Sequence, residues 1–188
     1  MGSAILADPA MQRAKNKYAA EIFFVIFKRN KASLDFLRSV PEKNIFTIDD
    51  SSFFNIIKDA VTLFFWCEKN QIDITIDLEL FSRATALLSF LTRSPIKAGF
   101  HNYHGEGLYR GHFLNRNVSY NPHIHIAKNF IALVDAAFTE DIQIPYLKKE
   151  ITDTEIQIRK IDISEKSLEK GMATIAANIS KNLSTFVY

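Results

Sequence analysis

Cysteine occurs once in these 188 residues, at Cys67, so no disulfide can form within the chain, and a reducing compartment is expected. Long apolar runs are also missing, since no stretch approaches the roughly 18 residues of a membrane-spanning helix. The first residues carry no basic region, and Asp8-Pro9 interrupts their apolar run, which argues against a signal peptide. Charge of one sign is scarce. The net charge of +2 is too small to suggest a nucleic-acid partner. No repeat of fixed period occurs. No Gly-x-Gly-x-x-Gly follows a strand-like run, which counts against a dinucleotide enzyme.

What is present is an ordinary core-forming composition, 47% hydrophobic and 23% charged, made aromatic by 16 phenylalanines. The length suits one domain, or one domain and part of a second. Polar and flexible residues are concentrated in one place. Four of the six glycines lie between Gly99 and Gly111, and all five histidines lie between His101 and His125. The histidines and three of these glycines follow a strand-like run that ends at Phe100, and open α/β sheets place their ligands beyond strand ends.

The periodicities alternate between strand and helix. Ala4 to Lys17 reads as a helix, with Pro9 as an early-turn residue or a kink. Glu21 to Phe27 is apolar on both faces and suits a buried parallel strand. Lys31 to Ser39 reads as a short helix that stops before Pro41, and Asn44 to Ile48 as a second strand. Ser52 to Lys69 is a long helix capped by Ser51 or Ser52. Ile72 to Leu78 is a third strand, Ser82 to Thr92 a helix, and Ile96 to Phe100 a fourth strand. A glycine-rich loop leads to a helix from about His125 to Phe138. This alternation predicts a doubly wound α/β fold with all four strands parallel.

Residues 139–162 read as a linker. A helix follows, with Asp162 and Glu165 at capping-box spacing and an apolar stripe of Leu168, Met172, Ile175, Ile179 and Leu183. Thr185 to Tyr188 reads as the start of another strand. At the front, Met1-Gly2-Ser3 stands at a helix start with no strand before it. The expectation is a chain truncated at both ends, a first strand supplied from elsewhere, or an expression scar at Met1-Gly2-Ser3.

Several residues could carry chemistry. The histidines could ligate a metal, but they lack cysteine or carboxylate partners at recognisable spacing, so exposed loop and cap positions are expected, with no metal and no cofactor. Arg83 stands at a helix start, where the dipole disfavours a cation, and this tilts it towards function. Glu79 could accept from sugar hydroxyls or cap the same helix. The loop from His101 to Arg110 combines aromatics, glycines and a cation, as sugar sites do, with Arg110 suited to a carboxylate or phosphate. Asp77 is expected to accept backbone hydrogen bonds at its strand end. Phe53, Phe54, Phe64, Phe65 and Trp66 are expected in the core, and Cys67 as a buried small apolar residue rather than a nucleophile.

Four ordered pieces resemble the family 9 glycosyltransferases, the heptosyltransferases of lipopolysaccharide core assembly and their relatives. Gly2-Ser3-Ala4-Ile5-Leu6-Ala7-Asp8-Pro9-Ala10 resembles a first turn and helix reading Gly-Asp, apolar residues, then Pro-Ala. Ile74 to Arg83 resembles the family's strand with Asp, then Gln or Glu, then a basic residue opening a helix. Lys97-Ala98-Gly99-Phe100 resembles its Arg-x-Gly-Phe strand, and Asn121 to Ala127 its segment in which His-Ala opens a helix. Together they span most of residues 2–138.

The resemblance implies the N-terminal half of a GT-B type enzyme, a Rossmann-like acceptor-side domain over residues 1–138 lacking its first strand. Residues 163–188 would supply a linker helix and the first strand of a donor-binding half. It implies transfer of a sugar such as heptose from a nucleotide-diphosphate sugar to a lipopolysaccharide or lipid-linked, anionic glycan. It also implies a cytoplasmic protein at the inner membrane surface. Glu79, Arg83, His101, Arg110 and His125 would bind the acceptor, His125 being equally readable as a helix cap. Ser3 falls where the family has its catalytic carboxylate. A serine hydroxyl cannot act alone as that base, and Asp8 lies a helical turn away, so the isolated chain is expected to be inactive. The competing readings are a non-catalytic sugar-binding domain of the same fold and an unrelated Rossmann-like ligand-binding domain.

Overall fold

The computed structural model describes residues 2–35, 39–80, 82–101, 112–140, 145–146, 150–156 and 165–179. Its order is α1 (Gly2–Leu6), α2 (Asp8–Tyr18), β1 (Phe24–Phe27), α3 (Ala32–Asp35), β2 (Ile45–Ile48), α4 (Phe53–Lys69), β3 (Ile74–Asp77), α5 (Arg83–Leu91), β4 (Ile96–His101), β5 (Arg116–Ser119), α6 (Ile126–Phe138) and α7 (Glu165–Ile179). The chain is α/β, with two small parallel sheets, β1-β2 and β3-β4-β5. The four strands expected from sequence are all present, and every pairing is parallel. A 17-residue helix, α4, spans about 25 Å and returns the chain from the end of β2 to the start of β3, so the two sheets run the same way.

Local chemistry sets the element ends. Pro9 opens α2 at a break after Ala7, because its ring tolerates the first helical turn and not the interior. Ser52 caps α4 by accepting from the Phe54 N–H at 3.3 Å, and Ser82 caps α5 by accepting from the Thr85 N–H at 3.2 Å. Gly99 in β4 leaves room for Leu114, whose methyl would stand 2.4 Å from a Cβ there.

Strand alternation divides the molecule into layers. Thr75 bonds Thr92 at the end of α5, Oγ1 to Oγ1 at 2.8 Å, which puts odd residues of β3 on the α5 side. Ile76 and Leu78, with Phe100 and Val118, pack instead against α2 and α6. In the first sheet, Phe24 and Ile26 pack with Met11, Leu34 and Val40, while Phe23 and Phe46 meet Trp66 of α4 at 5.5 and 5.4 Å between ring centroids. One helical layer is therefore α2 with α6, and the other is α4 with α5. The deepest core lies under α6, where Ile131, Ala132 and Leu133 are fully buried.

Two expectations are corrected. The aromatic run of α4 is not a core cluster: Phe53, Phe54 and Phe65 are 73%, 81% and 64% exposed, and Phe64 and Trp66 are half-buried. The helix turns Leu63 and Cys67 to the sheet, so Phe54, Ile57, Val61 and Phe65 fall on the far side. The stretch read as continuous loop after Phe100 contains β5, whose only apolar residue is Val118. Within residues 139–162, Tyr146 bridges Val118, and Ile151 is buried in the main core. Asp162, Leu183 and Thr185 to Tyr188 lie outside the described residues.

Candidate functional site

In a parallel sheet all strand C-termini share one edge, and the connections leaving that edge carry the expected acceptor residues. The side chain of Asp77, the last residue of β3, accepts from the Glu79 N–H at 3.0 Å and sets the turn that presents Glu79, which is exposed. Arg83 is exposed at the first position of α5. His101 closes β4, in register with Ser119 of β5. His125 is the N-cap of α6, its Nδ1 accepting from the Ala127 N–H at 3.3 Å. That bond places the neutral ring's proton on Nε2. Glu79, Arg83, His101 and His125 thus leave one edge of one sheet. Arg83 and His125 start helices on its two opposite faces. Ser3 lies in α1, and Arg110 and His104 lie outside the described residues.

No family model, curated protein or solved structure matched the chain.

One positioning residue was missed from sequence. Asn129 is fully buried in α6. Its Oδ1 accepts from the Asn121 N–H and its Nδ2 donates to the Asn121 carbonyl, both at 3.0 Å. It clamps the turn that delivers His123 and His125 to the helix start. An asparagine on the apolar face of a helix, followed by Phe130-Ile131-Ala132-Leu133-Val134, was the available signal. Beside it, Lys128 pairs with Asp153 at 2.7 Å, and this hydrogen bond, with His125 nearby, holds the Asp153 carboxyl below its ordinary value.

Asp8 does not face solvent: it is fully buried, and its carboxylate accepts from Ser39 Oγ and Gln12 Nε2. Burial pushes the Cys67 thiol up to about 11, with Glu68 adding to the effect, so it stays protonated and inert near neutrality. Among the described residues no three His, Cys, Asp or Glu side chains gather as metal ligands, and no helix is long and apolar enough to cross a membrane.

A cavity of about 660 Å³ lies between the two sheets. Glu79 and Asp77 line one end of it, whereas Arg83 and His125 lie off it.

Proposed function

We infer that this chain is the Rossmann-like acceptor side of a GT-B type glycosyltransferase of the family 9 kind. The observation that carries this reading is that Glu79, Arg83, His101 and His125 leave the C-terminal edge of a single parallel sheet in the sequence order of the motifs that resemble that family. Arg83, with Arg110 from the β4–β5 connection, pairs with carboxylates or phosphates of a lipopolysaccharide core or similar glycan. Glu79 accepts from sugar hydroxyls. The donor is a nucleotide-diphosphate sugar such as ADP-heptose, bound by a donor half beyond residue 163. A lipid-linked acceptor places the protein at the inner membrane surface of the cytoplasm, and the exposed apolar stripe Phe54, Ile57, Val61 and Phe65 supports that placement.

Ser3 provides no carboxylate and Asp8 is occupied, so the chain alone binds acceptor without transferring sugar. The same feature favours a second reading, a non-catalytic sugar-binding domain. The two separate when a family donor half is supplied, because only the first then turns over donor. The direct test is calorimetric titration with a phosphorylated, heptose-bearing core oligosaccharide. Binding is expected, weakened about tenfold or more by Arg83→Ala or Arg110→Ala with the melting temperature unchanged. Absence of binding to any anionic glycan, or binding indifferent to both substitutions, defeats the reading.

A further inference from the structure

The two sheets are separated by a gap inside an otherwise continuous three-layer stack. The α2–α6 layer covers both sheets on one side, and the α4–α5 layer covers both on the other. Between them, β1 pairs only with β2 and β3 only with β4 among the described residues, so each strand turns an unpaired edge towards the other. The cavity of about 660 Å³ fills this place in the middle layer. Its sides are Val25 and Ile26 of β1 and Ile74 and Ile76 of β3, with Ala10 above and Leu63 below. A cavity with apolar faces and two rows of backbone N–H and C=O groups along its sides matches a strand better than any compact ligand, because only a strand meets both rows at once.

We propose that this gap takes a β-strand: an extended apolar segment of about four or five residues, parallel to β1 and β3 and joined to the chain ahead of α1. Its length follows from the four-residue edges of β1 and β3, about 13 Å each. Its direction follows from α1 and α2. α1 packs against α3, which follows the end of β1, and α2 finishes at Tyr18, a few residues ahead of the start of β1. The helix pair therefore runs opposite to the strands, as a helix does when it follows a parallel strand and returns across the sheet. A strand in the gap ends beside Gly2 and leads straight into α1. It converts two sheets into one six-stranded parallel sheet and closes the edges that otherwise invite aggregation. This inference stands apart from the sugar-binding reading, since it concerns the sheet and not the residues beyond its edge.

The test appends Val-Ile-Leu-Ile-Val and a two-residue glycine-serine turn ahead of Met1 in the full chain, with a control in which the second and fourth residues are proline. Hydrogen exchange is followed at the edge amides of β1 and β3, and thermal unfolding is recorded on the same samples. The apolar version should slow exchange at those amides about tenfold or more and raise the melting temperature, while the proline version should do neither. Equal behaviour of the two versions overturns the proposal. So does slow edge exchange in the unextended chain that disappears on dilution, because a second copy would then fill the gap. Val25→Lys in the apolar version should reduce the gain, which ties the effect to the gap rather than to a sticky tail.

Discussion

Arg13 of α2 grips Asp135 of α6 with two parallel hydrogen bonds, Nε to Oδ1 at 3.1 Å and Nη2 to Oδ2 at 2.8 Å. Its third nitrogen reaches Glu155 Oε1 at 2.6 Å, and Tyr18 Oη donates to Asp135 Oδ1 at 2.7 Å while its ring stacks on Phe138 at 4.2 Å. The pair therefore joins the helical layer at its centre and fastens the segment after Tyr146 to the domain. Bidentate geometry and partial burial make it stronger than an ordinary surface pair.

The Asp135 carboxyl should make the fold acid-sensitive. Burial tends to raise its pKa, but the hydrogen bonds from Arg13 and Tyr18, with the Arg13 and Lys17 charges, together hold it below the ordinary value. A depressed carboxyl stabilises the fold above its unfolded pKa of about 3.9, and that contribution is lost as pH falls through the lower folded value. Asp135→Asn should cost about 1–3 kcal/mol at neutral pH in urea unfolding, and should cost less as pH drops below about 4. An equal cost at pH 7 and pH 3 would remove the ionic part of this account.

The exposed face of α4 should be nearly silent in stability. Phe54→Ala and Phe65→Ala are expected to change unfolding free energy by no more than about 0.5 kcal/mol, because their rings already meet water. Leu63→Ala, on the buried face of the same helix, should cost about 2–5 kcal/mol. Chemical denaturation of the three variants decides the matter, and a large loss at Phe54 would mean that this face is covered in solution.

At the start of α6, cap and clamp should separate from any ligand role. His125→Ala should lose about 1 kcal/mol by freeing the Ala127 N–H, and His125→Asn should retain most of it. Asn129→Leu should cost about 1–3 kcal/mol, since both Asn121 backbone groups lose their partner. If His125→Asn keeps stability but loses glycan binding, the ring contacts the ligand. If it keeps both, the cap is its whole role.

Gly171 sits inside α7 with open space where a Cβ would be. Gly171→Ala should stabilise that helix by about 0.5–1 kcal/mol and raise the far-ultraviolet helical signal. No gain in helical signal would indicate that α7 is not helical in solution.

The first four strands and the main helices were legible because each rests on a local pattern: apolar runs for β1 to β4, serines before α4 and α5, proline at the start of α2. That Glu79, Arg83 and His101 follow strand ends on one edge was legible too, because parallel connection forces successive strand ends to one side; that α5 and α6 carry Arg83 and His125 to opposite faces of the sheet was not. β5 was not, since Arg116-Asn117-Val118-Ser119 has little strand preference and is a strand only because β4 offers it a ladder. Periodicity marked α4 as a helix but could not say which of its apolar faces meets the sheet, for apolar residues run round most of it. Arg13 with Asp135, Asn129 with Asn121, and the gap between β1 and β3 depend on how elements meet. Residues 122 positions apart, or two unpaired edges across a cavity, leave no mark in local sequence and exist only once the layers have packed.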